Sequence, residues 1–234
     1  MPRFSLRPDG PVTLGRRAAL VTLVAAGLAC SDSPSESGVG TGAQLRVVNG
    51  ATTPVAVWVD GKSLLGTLDP GALSPSLSVA PGSRRVELRP AGGGAAATAQ
   101  VDATAQAPQF VAALGTTTGA VSAVALADTG AIPAPGTAKL QAVHLAAKAP
   151  AIYVWRKQPD FPTPVTFMFP HPYGMSTSYI QAPPGTWEVY VTPAGGDPSR
   201  NTLAHISLTI AANQARRVAV LDSANTVRIV PLDP

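Results

Sequence analysis

The sequence predicts an all-β chain: two tandem β-sandwich domains that follow a signal peptide and a flexible tether. Three observations carry this reading. First, the 234-residue chain says nearly the same thing twice, "APGSRRVELRPAGG" from Ala80 and "PPGTWEVYVTPAGG" from Pro183, at an offset of 103. Second, these segments alternate with period 2. Val86 and Leu88 are interleaved with Arg85, Glu87 and Arg89, and Trp187, Val189 and Val191 with Glu188, Tyr190 and Thr192. That is the pattern of a half-buried strand with one wet face. Third, 22 Gly and 24 Pro punctuate the chain. Asp60-Gly61 and Pro81-Gly82 are turn signals between runs of β-formers, and such spacing points to a sandwich. Beyond the N-terminal segment no long window shows a 3.6-residue period.

The N-terminal residues 1–29 read as an export signal. Arg16 and Arg17 precede an apolar run from Ala18 to Ala29. As a helix this run would span roughly 18 Å, too short for a hydrocarbon core of about 30 Å, so a signal peptide is the better reading than a transmembrane helix. The run ends in "AGLAC", which resembles a bacterial lipobox, the recognition site for prolipoprotein diacylglyceryl transferase and signal peptidase II. Ala29 before the cysteine fits, with Gly27 where Leu is more usual. Cys30 is the only cysteine, so it has no internal disulfide partner. The resemblance implies acylation of Cys30, with the lipid bilayer as a partner, and an extracytoplasmic, lipid-anchored chain. Ser31 after the cysteine implies the outer membrane under enterobacterial-type sorting. An ordinary signal peptide with a stray cysteine is the alternative. Arg16–Arg17 also leaves a twin-arginine export route open, although "AAL" follows the pair in place of Phe-Leu-Lys.

Residues 30–43, including "SDSPSESGVGTG", form a polar Ser/Gly tether without core-forming side chains. The first repeat is expected over 44–128, a linker carrying Pro133 and Pro135 over 129–137, and the second repeat over 138–234. A second internal match supports this division: "AQLRVVNGATTPVAVWV" aligns with "AKLQAVHLAAKAPAIYV" at an offset of 95, pairing Leu45 with Leu140, Val48 with Val143 and Trp58 with Tyr153. A third match pairs "VSAVALAD" with "VRIVPLD". Units of about 90 residues are domain-sized. The Ala-rich "GGGAAATAQVDATAQAPQF" is read as a loop and a strand.

The pattern "RVVNGATTPVAVWVDGK…LSVAPGSRRVELRPAGG" resembles the DUF4397 family, bacterial extracytoplasmic domains often found in tandem and on lipoproteins. The resemblance covers both repeats, over nearly all of residues 43–233, and implies an immunoglobulin-like sandwich with no assigned activity. The family commonly carries His and then an Asp-containing Ala-Pro loop after its first strand. Here the corresponding residues are Asn49 with "ATTPVAV" and His144 with "AAKAPAI", and both loops lack the acidic residue.

Charge and motifs narrow the function. The net charge of +4 arises largely in residues 1–29, where four arginines face one aspartate. The remainder is nearly neutral and carries no basic stripe, so the electrostatic term that drives nucleic-acid binding is missing. The chain contains no H-E-x-x-H, G-x-S-x-G or Walker sequence, and "GVGTG" precedes a strand instead of following one, unlike a dinucleotide turn. His144, His171 and His205 are spaced unlike any compact zinc motif, and the acidic residues are scattered singly. No catalytic residue, metal site or cofactor is assigned. His144 is expected to be a hydrogen-bonded strand-end residue, His205 to lie on an outer face and His171 in a loop.

The expected role is a non-enzymatic binding or adhesion module whose partner is an envelope protein or a glycan. A purely structural spacer, or a hydrolase with an unrecognised site, are the alternatives. Trp58 and Trp187 are expected in cores, or else on an aromatic platform for sugars, with Tyr153 and Trp155 facing opposite ways. The two offsets place about eight extra residues between Trp155 and Pro183, in the Pro- and aromatic-rich "RKQPDFPTPVTFMFPHPYG". Proline-rich backbone belongs at a sheet edge or in a loop. Phe161, His171 and Tyr173 are therefore expected to be exposed partner contacts, with "VTFMF" as a strand that caps the core as the alternative.

Overall fold

The computed structural model describes residues 42–105, 107–116, 119–126, 132–158, 163–166, 170–224 and 226–233. Among these every regular element is a strand. The first half contains β1 (Ala43–Gly50), β2 (Val55–Val59), β3 (Lys62–Leu68), β4 (Leu77–Val79), β5 (Gly82–Pro90), β6 (Ala97–Ala103), β7 (Gln109–Gly115) and β8 (Val121–Leu126). The second contains β9 (Ala138–Leu145), β10 (Ile152–Lys157), β11 (Val165–Thr166), β12 (Ile180–Ala182), β13 (Gly185–Pro193), β14 (Ala204–Ile210), β15 (Ala215–Asp222) and β16 (Val227–Pro231).

The strand orders repeat. The first half pairs a β4-β1-β7-β8 sheet with a β3-β2-β5-β6 sheet, and the second pairs β12-β9-β15-β16 with β11-β10-β13-β14. Two sandwich-like halves with one topology account for the duplicated sequence. Alternation supplies each core. In β6, Ala97, Ala99, Val101 and Ala103 are buried while Thr98, Gln100 and Asp102 are exposed, so the Ala-rich stretch is a strand, as expected. Val86 and Leu88 of β5 fill the first core, and Trp187, Val189 and Val191 of β13 fill the second. Asp60 and Gly61 adopt φ of 48° and 79°, the left-handed pair that a two-residue hairpin between β2 and β3 requires. The described residues of the Pro-rich segment reach the sheet at its edge through β11 and through a single His171–Ile152 bridge, where missing backbone donors cost little.

Four strands are buried on both faces. β1 and β7 pair in parallel, as do β9 and β15, and parallel pairs covered on both sides read as near-continuous apolar runs. Their second faces meet between the halves in a third core: Val48, Phe110, Val143, Leu145, Ala219 and Leu221 are each at most 1% exposed. The register makes Val48 equivalent to Val143, Phe110 to Arg217, Ala112 to Ala219 and Leu114 to Leu221. The same positions of both halves thus supply the seam, as in an isologous dimer interface. The Arg217 guanidinium lies 4.3 Å from the Phe110 ring centroid and is ion-paired with Asp233. The backbones approach closely: a Cβ on Gly50 would lie 2.7 Å from the Leu145 carbonyl oxygen. Both halves belong to one compact unit. Within the 129–137 segment, the Ala134 N–H donates to Gln181 Oε1 (3.1 Å) and the Gly136 N–H to Asn213 Oδ1 (2.8 Å), so its described residues are fastened to the second half.

Candidate functional site

The sheets turned away from the seam carry different side chains on one scaffold. In the second half, register sets Trp155 of β10 opposite Tyr190 of β13, and Tyr190 opposite His205 of β14. Three rings therefore stand in one row across three strands. Tyr190 and His205 stack at 4.4 Å with 16° between planes. Tyr153 joins edge-on, 6.2 Å from Trp155. Trp155 Nε1–H donates to Thr192 Oγ1 at 3.0 Å, which fixes the indole, and Glu188 Oε2 holds the His205 imidazole.

In the first half, Trp58 of β2 lies opposite Glu87 of β5, which lies opposite Thr98 of β6. Trp58 is thus the structural counterpart of Trp155, and Glu87 of Tyr190. Arg89, the counterpart of Thr192, places its guanidinium 3.8 Å from the Trp58 ring centroid. Glu87 pairs with Arg89 at 2.9 Å and with Arg85 at 3.6 Å. The hydrogen bond from Arg89 holds the Glu87 carboxyl below its ordinary range. The first half covers its indole with a cation, whereas the second surrounds its indole with rings.

Inserted residues build walls around the second row. The offset between equivalent residues is 95 at β1/β9, 97 at β2/β10 and 103 at β3/β11 and β5/β13. Two of the extra residues therefore precede β10, and six fall between β10 and β11, where the first half has the Asp60-Gly61 turn. The offset reaches 107 at β6/β14, which adds four residues to the β13–β14 loop. These two loops flank a cleft of about 480 Å³ floored by Trp155 and Tyr190 and walled by Thr163 and Pro164 on one side and Asp197, Pro198 and Ser199 on the other. Asp197 Oδ1 accepts from both the N–H and the hydroxyl of Ser199. The Ser199 hydroxyl holds the Asp197 carboxyl below its ordinary range, so the wall carries a fixed negative charge at neutral pH.

The residues singled out from sequence fall elsewhere. Cys30 and Phe161 lie outside the described residues, as do Phe167 and Phe169. His171 and Tyr173 are half-buried, which corrects the expectation that they are exposed. The reason is the seam: the Tyr173 hydroxyl accepts from the Gly115 N–H (2.7 Å) and donates to the Gly50 carbonyl (3.1 Å) in the first half. His171 forms a β-bridge with Ile152, and its carbonyl accepts from His144 Nδ1 at 2.8 Å. His144 is the strand-end residue expected, 1% exposed. The Nε2 atoms of His144 and His171 are buried without a hydrogen-bond partner among the described residues. Burial pushes both imidazoles down and the Tyr173 phenol up. A wider groove of about 750 Å³ runs beside Tyr173, with Leu114 and Lys148 among its lining, but the Tyr173 hydroxyl is already committed to holding the halves together.

Trp187 is fully buried, as expected, while Trp58 is not a core residue. It stands on the outer face of β2 because Val55, Val57 and Val59 take the inward positions. Tyr153 and Trp155 share one face, contrary to the expected opposition, because residues two apart on a strand point the same way. Pairing Trp58 with Tyr153 likewise gives way to Trp58 with Trp155 once the two residues before β10 are counted. Among the described residues no group of three His, Cys, Asp or Glu side chains is placed to hold a metal ion.

The sequence family described as "Domain of unknown function (DUF4397)" matches residues 43–155, which span the first half together with β9 and most of β10. No curated protein sequence matches the chain. Among solved structures, a family 41 carbohydrate-binding module from a streptococcal virulence factor, described for alpha-glucan recognition, aligns at 10% identity and a TM-score of 0.28, covering 80% of this chain and 96% of its own. A leucine-rich repeat protein from Bacteroides thetaiotaomicron aligns at 13% identity and a TM-score of 0.24, covering 80% of this chain and 26% of its own.

Proposed function

We propose that this chain is an extracytoplasmic, lipid-anchored module of tandem DUF4397 repeats that binds an envelope partner without catalysis. The aromatic row Trp155–Tyr190–His205, beside a cleft walled by Thr163, Pro164 and Asp197, is the observation that carries the reading. Rings held by neighbours lose little entropy when a partner covers them, and loops on a rigid sandwich are the usual place for recognition. A spacer has no use for such a face, and the first half covers its own indole with Arg89. Support for the anchor comes from the Arg16–Arg17 pair, the short apolar run and "AGLAC" ending in the single cysteine. Several acyl chains at ~0.8 kcal/mol per buried methylene would hold the chain at an outer membrane.

Two measurements test this. Cys30→Ser should move the protein from the membrane to the soluble fraction, and mass spectrometry of the wild-type mature form should find Cys30 acylated. An unmodified Cys30 contradicts the anchor. In pull-downs from solubilised envelopes, Tyr190→Ala should lose retained material that the wild-type chain and Trp58→Ala both keep. Equal retention by all three contradicts the assignment of the binding face.

A further inference from the structure

We infer that the cleft floored by Trp155 and Tyr190 takes a neutral glycan, one sugar ring of which packs against that aromatic floor. This rests on the proposed binding role and specifies its ligand. Tyr190 and His205 turn one face to each other, so the aromatic surface left to a ligand is the Trp155 and Tyr190 floor of the cleft, against which the C–H face of a pyranose ring can pack. From Trp155 to Tyr190 the floor crosses one strand spacing, roughly 5 Å, enough to underlie one sugar unit of a linear chain.

The walls decide which flat ligand fits. Asp197 supplies a carboxylate, and Thr163 and Ser199 supply hydroxyls, with Glu188 beside the row at His205. A carboxylate accepts hydrogen bonds and donates none. Asp197 Oδ1 already accepts from Ser199, and sugar hydroxyls provide donors for the remaining lone pairs. A proline-rich peptide also stacks on aromatic grooves, but its prolines lack N–H groups and leave Asp197 facing carbonyl oxygens. An anionic polymer fits worse still. Among the described residues that line the cleft, Asp197 carries the only charge, and it repels carboxylate, phosphate and sulfate alike. The first half shows what excludes such a ligand: Arg89 lies over the indole, and a two-residue turn stands where the second half has the Thr163–Pro164 wall.

Native electrophoresis of the full chain in gels containing soluble α-glucan, β-glucan, mannan or galactan tests this, with alginate as the anionic control. The wild-type chain should be retarded by at least one neutral polysaccharide and not by alginate. Tyr190→Ala, and Tyr190→Glu carrying the first half's residue, should weaken that retardation at least tenfold with melting temperatures held. Trp58→Ala should leave it unchanged. Absence of retardation by all four neutral polymers, equal retardation by alginate, or retardation that survives both Tyr190 variants would overturn the inference. If the gels fail while Tyr190→Ala still abolishes capture from envelopes, the glycan is wrong and the binding face stands. Failure of both overturns both.

Discussion

The first half covers an indole with Arg89, and the second leaves the equivalent indole among Tyr153, Tyr190 and His205. The strands beneath are the same, in the same order and register. Inward positions answer to packing, and seam positions answer to the other half. The outer face answers to neither, so Arg85, Glu87 and Arg89 have become Glu188, Tyr190 and Thr192 without disturbing the sheet. Loop length changed alongside: both loops that border the second row are longer than their counterparts. Shared positions should therefore govern stability, and divergent positions should govern binding.

The largest effect is expected at a seam position. Phe110 is 1% exposed beneath Arg217. Phe110→Ala should cost about 3–5 kcal/mol, read as a shift of the urea midpoint. Because the seam joins the halves, both should lose protection from hydrogen exchange together. A second half that keeps its full protection would show that the halves are stabilised separately.

An intermediate effect should separate the halves by pH. Asn49 and His144 are equivalent. The Asn49 side chain is satisfied, donating to the Thr53 and Leu68 carbonyls and accepting from the Ala51 N–H. His144 instead has a buried Nε2 without a hydrogen-bond partner among the described residues, and burial lowers its affinity for protons from the ordinary value near 6.5. Burial, and the neighbouring His144, do the same to His171. Below pH 6.5 the unfolded chain gains protons that the folded chain refuses. The stability contributed is thus full above that value and falls as pH drops toward the folded-state values. Urea midpoints at pH 7.5 and 5.5 should show this loss, and His144→Asn should reduce the slope. An unchanged slope would exclude His144 as its source.

The smallest effect should come from uncovering the first indole. Arg89→Ala removes a cation–π contact worth about 0.5–1 kcal/mol and the partly covered ion pair with Glu87. Stability should barely move, while acrylamide quenching of Trp58 rises. Polysaccharide binding by the first half should not appear, because Asp60-Gly61 builds no wall.

Much of this fold was legible because period-2 alternation and turn chemistry are local. The Ala97–Ala103 strand, the Asp60-Gly61 hairpin and the two-fold repetition needed no tertiary information. The site was less legible. Tyr190 was read correctly onto a wet face, but its neighbours Trp155 and His205 lie 35 and 15 residues away in sequence and meet it only through cross-strand register. Two residues inserted before β10 hid the equivalence of Trp58 and Trp155. Tyr173 resembled an exposed loop aromatic because the partners of its hydroxyl, Gly50 and Gly115, belong to the other half, and a seam between two repeats leaves no periodic trace in a loop.

Hydroxyl-radical footprinting of the full chain, in buffer and on isolated envelopes, tests the division between the two outer faces most directly. The account predicts that envelopes protect Trp155 and Tyr190 while Trp58 is oxidised equally in both conditions. Protection of Trp58 with Trp155 and Tyr190 unchanged would contradict it.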